Sequence, residues 1–481
     1  MRSPFRTGVL AGALCAALAG GCVNQDREVE TYRKVLDDGR PRPAAFVPSA
    51  PLGLGEAMAL ANENNEQLAS QGEDYLQVLI AKNRAFSQFL PTVSFQPNFT
   101  VEQPPGGLAA PASPGAPAES AASVAASQGG YVQGGGVLRR FEAPVVGNMD
   151  FSYRNIPAYK AAKIEAARQR QLLIDAQETV LLNVAQVYYQ VVTSTRQVGV
   201  LGHSLSLQEA RVRDLRGQLS MKLADALGVA QAEATEAGTR VQLEHAQNDT
   251  RNGRRTLALL IGAPSVDGPL DASAADPGAL AAPQSFVDAA LKGRQDLLAA
   301  QAEVDSARQG VKAAVAEYYP SVSLNLTGFL YRENFANATK WDGILLANLP
   351  LYSAGQIRSD VRTAWSRLRQ AALAESYLHR EVEQGVLTAY DNLGTSAAVL
   401  LELRREVDSA DLAYRQAVQM EKSGLAIPLD VLTAQDTLQN AQLDYASEWY
   451  NRTVFYLDLI RSTGDLGPDA PSRLHWTAQV E

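Results

Sequence analysis

The sequence predicts a mainly α chain with a small β part, written twice, with long antiparallel coiled-coil helices and one β-hairpin in each half. Three observations carry this expectation. The 481 residues are 46% hydrophobic but only 7% aromatic, and alanine and leucine dominate, as in long helices. Stretches of about ten residues that alternate apolar and polar side chains stand at matching places in the two halves. The chain also repeats itself in register. Leu68, Ala85, Pro91, Val93 and Ser94 recur 229 residues later as Leu297, Ala314, Pro320, Val322 and Ser323. Val180, Val184, Tyr188, Arg213, Val229, Ala232 and Gly262 recur 202 residues later as Val382, Val386, Tyr390, Arg415, Val431, Ala434 and Gly464. The 27-residue excess of the first offset falls in the first half, where the Pro-, Gly-, Ala- and Ser-rich segment 103–136 reads as a loop insertion.

Taken in order, Arg2 and Arg6, the apolar run 8–18 and Ala19-Gly20-Gly21-Cys22 read as a secretory signal over 1–21. Residues 22–53, with Pro41, Pro43, Pro48 and Pro51, read as an extended arm. The first repeat, 54–262, is expected to hold a helix over 55–89, a strand over 92–101, a return strand over 145–153, and helices over 158–222 and 229–261. Pro97 cannot donate to a ladder and predicts a bulge in its strand. Residues 263–283 form the link between repeats. The second repeat, 284–464, follows the same order with helices over 285–318, 356–422 and 428–461 and strands over 321–330 and 344–352, and 465–481 is a loosely ordered tail. Val180, Val184, Val187 and Val191 draw the narrow apolar stripe of a packed seam. At about 1.5 Å per residue each long helix approaches 100 Å, so it can pair with two short ones laid end to end.

No later stretch supplies the roughly 18 to 20 apolar residues of a spanning helix, so a membrane crossing would have to be a β-barrel. Four strands cannot close one, since the smallest use about eight, and copies of the chain must share it. A net charge of -9 argues against nucleic acid. Both cysteines, Cys15 and Cys22, lie in the first 22 residues, which excludes disulfide and thiol chemistry in the body. His203, His245, His379 and His475 are scattered and never stand at metal-ligand spacing. Gly202-His203-Ser204-Leu205-Ser206 lacks the closing glycine and the preceding strand of a nucleophile elbow. Neither an enzyme nor a metal or cofactor protein is expected.

The cysteine after two glycines resembles the bacterial lipobox, which implies a covalent lipid on Cys22, and the valine at 23 implies sorting to the outer membrane. Further residues carry a second resemblance. They are Ala61-Asn62-Glu63-Asn64-Asn65-Glu66-Gln67-Leu68 and its counterpart 290–297, the strand starts at Leu90-Pro91 and Tyr319-Pro320, and Leu429-Asp430-Val431-Leu432-Thr433-Ala434-Gln435 with its echo 227–232. In this order, duplicated behind a lipobox, they resemble the TolC-like outer-membrane efflux protein family, lipoprotein branch, over nearly the whole mature chain. Gln295 stands where proline is frequent, and the long insertion is unusual.

The resemblance implies a homotrimer with a 12-stranded β-barrel in the outer membrane of a Gram-negative-type bacterium, continued by a periplasmic α-helical barrel. It implies docking to a periplasmic adaptor protein and an inner-membrane pump of RND type, and export of small molecules. Alternatives are the duct of a type I protein secretion system and a non-conducting envelope scaffold. The turns 219–228 and 421–430 would be the periplasmic tips. Asp430 matches a position that forms a carboxylate ring at the constriction in the family, or it caps the following helix. Gly228 stands at its echo, Ala426 at the neighbouring basic position and Thr433 at a second acidic one, so this motif implies one acidic layer. Leu425 and Ile427 would close the tip by apolar contact, and Leu223, Ala224, Leu425 and Ala426 would contact the adaptor.

Overall fold

Two helices of 66 and 67 residues, Asn155–Ser220 (α4) and Gln356–Lys422 (α8), dominate the computed structural model, which describes residues 24–37, 46–102, 138–222, 225–275, 278, 280–333, 339–467 and 476–477. The other helices are α1 (Gln25–Asp37), α2 (Leu54–Asn64), α3 (Glu66–Ser87), α5 (Ala226–Leu260), α6 (Pro283–Gly293), α7 (Gln295–Val315) and α9 (Pro428–Thr463). The strands are β1 (Thr92–Phe95), β2 (Asn98–Glu102), β3 (Leu138–Ser152), β4 (Ala274–Ala275), β5 (Ser321–Glu333), β6 (Trp341–Asn348) and β7 (Trp476–Thr477). Two units result, one from residues up to 77, 167–302 and 373 onward, the other from 78–166 and 303–372.

The second unit is a sheet with its flanking helix ends. All its strands run antiparallel, in the order β1 and β2 against β3, then β5, then β6. The expected hairpins are there, and they pair with each other through β3 and β5, from Phe141 opposite Glu333 to Ser152 opposite Ser321. The disturbance foreseen at Pro97 is also there. The outer strand breaks between Phe95 and Asn98, where the Gln96 N–H reaches the Pro144 carbonyl at 3.1 Å. The neighbouring ladder shifts register between Ala143 and Pro144, so two residues without an N–H share one irregularity. β3 begins earlier than expected and β6 runs over 341–348, not 344–352. The expected loop insertion, 103–136, lies outside the described residues.

The first unit holds the helical core. Val180, Val184 and Val191 of the expected seam are buried, Val187 half-buried, and Leu181, Ala185, Tyr188 and Tyr189 widen the stripe. One repeat later Val382, Val386, Ala389 and Leu393 form the matching seam against Val287 and Ala290. Tyr188 is fully buried, and its hydroxyl lies 2.8 Å from the Leu52 carbonyl and 2.9 Å from that of Asp271. It thereby ties the arm and the inter-repeat link to α4. Its counterpart Tyr390 packs on Phe286 instead.

Three expectations need correction. Each first short helix is one helix in the sequence reading and two in the structure, broken at Asn65 and at Arg294, which are extended and 229 residues apart. The cause is a partner that arrives from elsewhere in the same repeat. Gly262 and Gly464, both left-handed, press so close to Asn64 and to Gly293-Arg294 that a Cβ would lie within 3 Å of their atoms. Each glycine closes a Schellman end on α5 or α9, with the following N–H reaching back to Ala258 or Ile460. The Asn64 and Asn65 amides donate to Ile261 and Leu260 at the same junction. The arm is not wholly extended, since α1 buries Tyr32 and Leu36 and the Arg33 guanidinium donates to the Asn62 carbonyl at 2.9 Å. The tail is partly ordered, because β7 pairs with β4 in the link.

Candidate functional site

Two features outlast the demands of packing, the sheet in one unit and the helix turns in the other. Among the described residues, the sheet leaves both outer strands, β1–β2 and β6, without a partner on one side. Every residue of β6 is exposed, including Ile344, Leu345 and Leu346. Val93, Phe95, Phe99 and Val101 are likewise more than half exposed. Open apolar edges in water would aggregate, and in lipid would strand backbone groups. Aromatic residues gather at both ends of the strands: Phe141 and Tyr331 are 5.8 Å apart at one end, and Tyr153 and Tyr319 5.2 Å apart at the other. From Tyr319 to Tyr331 a strand rising about 3.3 Å per residue and tilted about 40° climbs roughly 30 Å, the thickness of a hydrocarbon core. No described helix is long and apolar enough to cross a membrane.

The turn between α8 and α9 is built by its sequence. Gly424 takes the left-handed conformation (φ 72°), its N–H donates to the Glu421 carbonyl at 2.9 Å, and the Leu425 N–H reaches Met420 at 2.8 Å, a Schellman end. Pro428 then opens α9, where it needs no N–H. The turn after α4 uses the same geometry with lysine: Lys222, the counterpart of Gly424, has φ 63°, and its N–H donates to Leu219 at 2.9 Å. A side chain is strained there, so Lys222→Gly should raise stability by about 0.5–1 kcal/mol and Gly424→Ala lower it by about 1 kcal/mol. Denaturant midpoints of the two variants check this.

Asp430 is exposed, and its carboxylate accepts the Ile427 N–H at 3.0 Å from the third position of α9. At the other turn Asp225, at the N-cap of α5, accepts the Gly228 N–H at 2.9 Å. These are the two reciprocal halves of a capping box. The acid has moved from N-cap to third position between repeats, and each turn therefore carries one capping carboxylate. Asp225 was missed because the sequence comparison sought an acid at Gly228, the echo of Asp430; the N-cap rule applied three residues earlier finds it.

Leu425 and Ile427 are 75% and 58% exposed, and Leu227 and Met221 are similarly open on the other turn. Ala426 is half-buried. Cys22, Leu223 and Ala224 lie outside the described residues. Behind the turns Val212, Leu215, Val229, Ala232 and Leu432 form an apolar cluster. Arg211 of α4 grips Glu421 of α8 through both guanidinium nitrogens, with each side chain 17% exposed. No local signal shows this pair, because its partners stand 210 residues apart.

Residues 286–465 match the family model described as outer membrane efflux protein. The chain is 25% identical over 325 residues to the outer membrane efflux protein BepC of Brucella suis, a match covering 66% of this chain and 70% of that one. It is 24% identical over 311 residues to the outer membrane protein TolC of Escherichia coli, covering 60% of this chain and 62% of that one. The crystal structure of the Campylobacter jejuni CmeC outer membrane channel superposes with a TM-score of 0.74 at 16% identity, covering 86% of each chain, a likeness that carries the fold. The chain is therefore similar to outer membrane efflux proteins over residues 286–465, and these relatives and the shared fold extend that likeness over most of its length.

Proposed function

We propose that the chain is the outer-membrane channel of a tripartite efflux system, a conduit and not an enzyme, which passes small molecules from an inner-membrane pump of RND type through a periplasmic adaptor to the outside. The observation that carries the proposal is the four-ply sheet, whose strands are long enough to cross a membrane and whose two edges are open among the described residues, in a chain that also holds helices of 66 and 67 residues. Three copies joined edge to edge would give the 12 strands of a closed barrel, a number within the range of outer-membrane barrels. Rotational symmetry would then bring the helix turns around one axis. Asp430, beside Leu425 and Ile427, would favour cations at that constriction, with Asp225 adding a second acidic layer. Leu425 and Ala426, with Leu223 and Ala224, would meet the adaptor, and a lipid on Cys22 would anchor the arm.

Planar-bilayer recording of the purified trimer tests this reading. Small, cation-selective steps are expected, and Asp430→Asn, whose amide oxygen still accepts the Ile427 N–H, should lower the selectivity without lowering stability. A protein that inserts and never conducts, with adaptor present, overturns the proposal. Selectivity unchanged in Asp430→Asn would leave Asp430 with its capping role alone.

A further inference from the structure

A groove of about 500 Å³ lies between α4, α8 and α9, away from both turns and from the sheet strands. Each helix gives it one face. Arg196, Val200 and His203 come from successive turns of α4, Arg404 and Val407 from α8, and Tyr445 from α9, spacings that put side chains on one side of a helix. The volume falls in the range of small-molecule sites, about 300–1,000 Å³.

The groove carries positive charge that no carboxylate among the described residues neutralises by an ion pair. Several arginines on these helices are paired, Arg211 with Glu421, Arg216 with Glu233, Arg405 with Glu402 and Arg415 with Asp411. Arg196 and Arg404, from two different helices, have no carboxylate partner among the described residues, and both line the groove. Arg405, the next residue after Arg404, is occupied on its own helix by Glu402 at 2.7 Å. A guanidinium fork matches a carboxylate in geometry as well as charge. The half-buried Tyr445 ring, backed by Trp449 with centroids 6.2 Å apart, and the two valines offer a flat apolar wall to a ring system. Asp408 also lines the groove. One acid against two arginines leaves a single net positive charge, which suits a monoanion.

We infer that this groove binds an amphipathic organic monoanion, a carboxylate carried on an aromatic ring body. The inference concerns a groove away from the helix turns and stands or falls separately from the channel reading. Its test is calorimetric titration of the full chain, held in amphipol, with 1-naphthoate and with its uncharged counterpart 1-naphthalenemethanol, each corrected against protein-free amphipol. Saturable naphthoate binding is expected, with affinity at least about tenfold above that of the alcohol. Arg404→Ala should weaken it about tenfold, and Arg196→Ala with Arg404→Ala should abolish it. Both side chains are exposed and unpaired, so the variants should keep the native circular dichroism and elution volume. Equal affinity for acid and alcohol, affinity unchanged in the double variant, or no binding to the native chain overturns the inference.

Discussion

Replacing Arg211 by methionine is expected to lower the stability of the helical body by about 3 kcal/mol, among the larger effects of any single substitution in the chain. The pair with Glu421 is bidentate and mostly shielded from water. Methionine fills much of the stem's volume but leaves the carboxylate desolvated with no cation, and breaking such a pair costs more than the pair contributes. Val212 and Leu215, one and four residues further along α4, form an apolar cluster with Leu432 of α9. Arg211→Met combined with Glu421→Met should therefore recover most of the loss, which a double-mutant cycle in denaturant reads directly. Amide exchange around 419–427 should rise in the single variant and fall back in the double. If the turns close a conduit, the single variant should also open more often in bilayer recordings, because the pair joins α4 to the last turn of α8. A single variant as stable as the native chain would show the pair to be dispensable.

What the sequence disclosed was what repeats. The helices of 66 and 67 residues, the two hairpins and the disturbance at Pro97 all rest on local chemistry, present in two registers or fixed by a residue with one backbone use. The breaks at Asn65 and Arg294 were hidden because neither residue is a helix breaker. Each becomes extended where a glycine end of a distant helix is pressed into it. The helix α1 was hidden for a related reason: its prolines at 41 and 43 lie after the helix, while Tyr32 and Leu36 find their cover in the folded unit. At the turns, the position of Asp430 was legible and its hydrogen bond to Ile427 was one of two readings. The Arg211–Glu421 pair has no counterpart one repeat away, where Ala413 and Leu219 stand, so a search for repeats passes over it.

The native chain is expected to lose stability as pH rises from about 4.5 to 8, by an amount on the order of 4 kcal/mol, and Glu178→Gln should remove most of that loss. Glu178 is 4% exposed on α4, and one of its carboxylate oxygens has no hydrogen-bond partner among the described residues. Burial raises its pKa from the ordinary 4.5 to about 8; Arg461 opposes the rise, and Asp175, Asp465 and Asp296 add to it. The arginines are largely spoken for, since Arg461 is held by Asp175 at 2.8 Å and Arg294 by Asp296 at 2.9 Å. Burial raises Asp175 and Asp458 as well, with Arg461 the first group opposing it at each. The sign follows from proton counting. Between the unfolded and folded pKa values the folded chain holds a proton on Glu178 that the unfolded chain has released, so stability falls with each pH unit of that window. Below about 4.5 both states are protonated and the contribution is fully present; above about 8 it is gone. Glutamine keeps the shape of the neutral acid and cannot ionise, so its denaturation midpoint should match the native one near pH 5 and exceed it increasingly toward pH 8. A native midpoint flat across that window, or a glutamine variant that tracks the native curve, would mean that the carboxyl stays ionised and that Arg461 is shared between Asp175 and Glu178. Asp175→Asn separates the two cases: freeing Arg461 for Glu178 should flatten the native slope if the carboxyl is neutral, and change it little if the arginine was already shared.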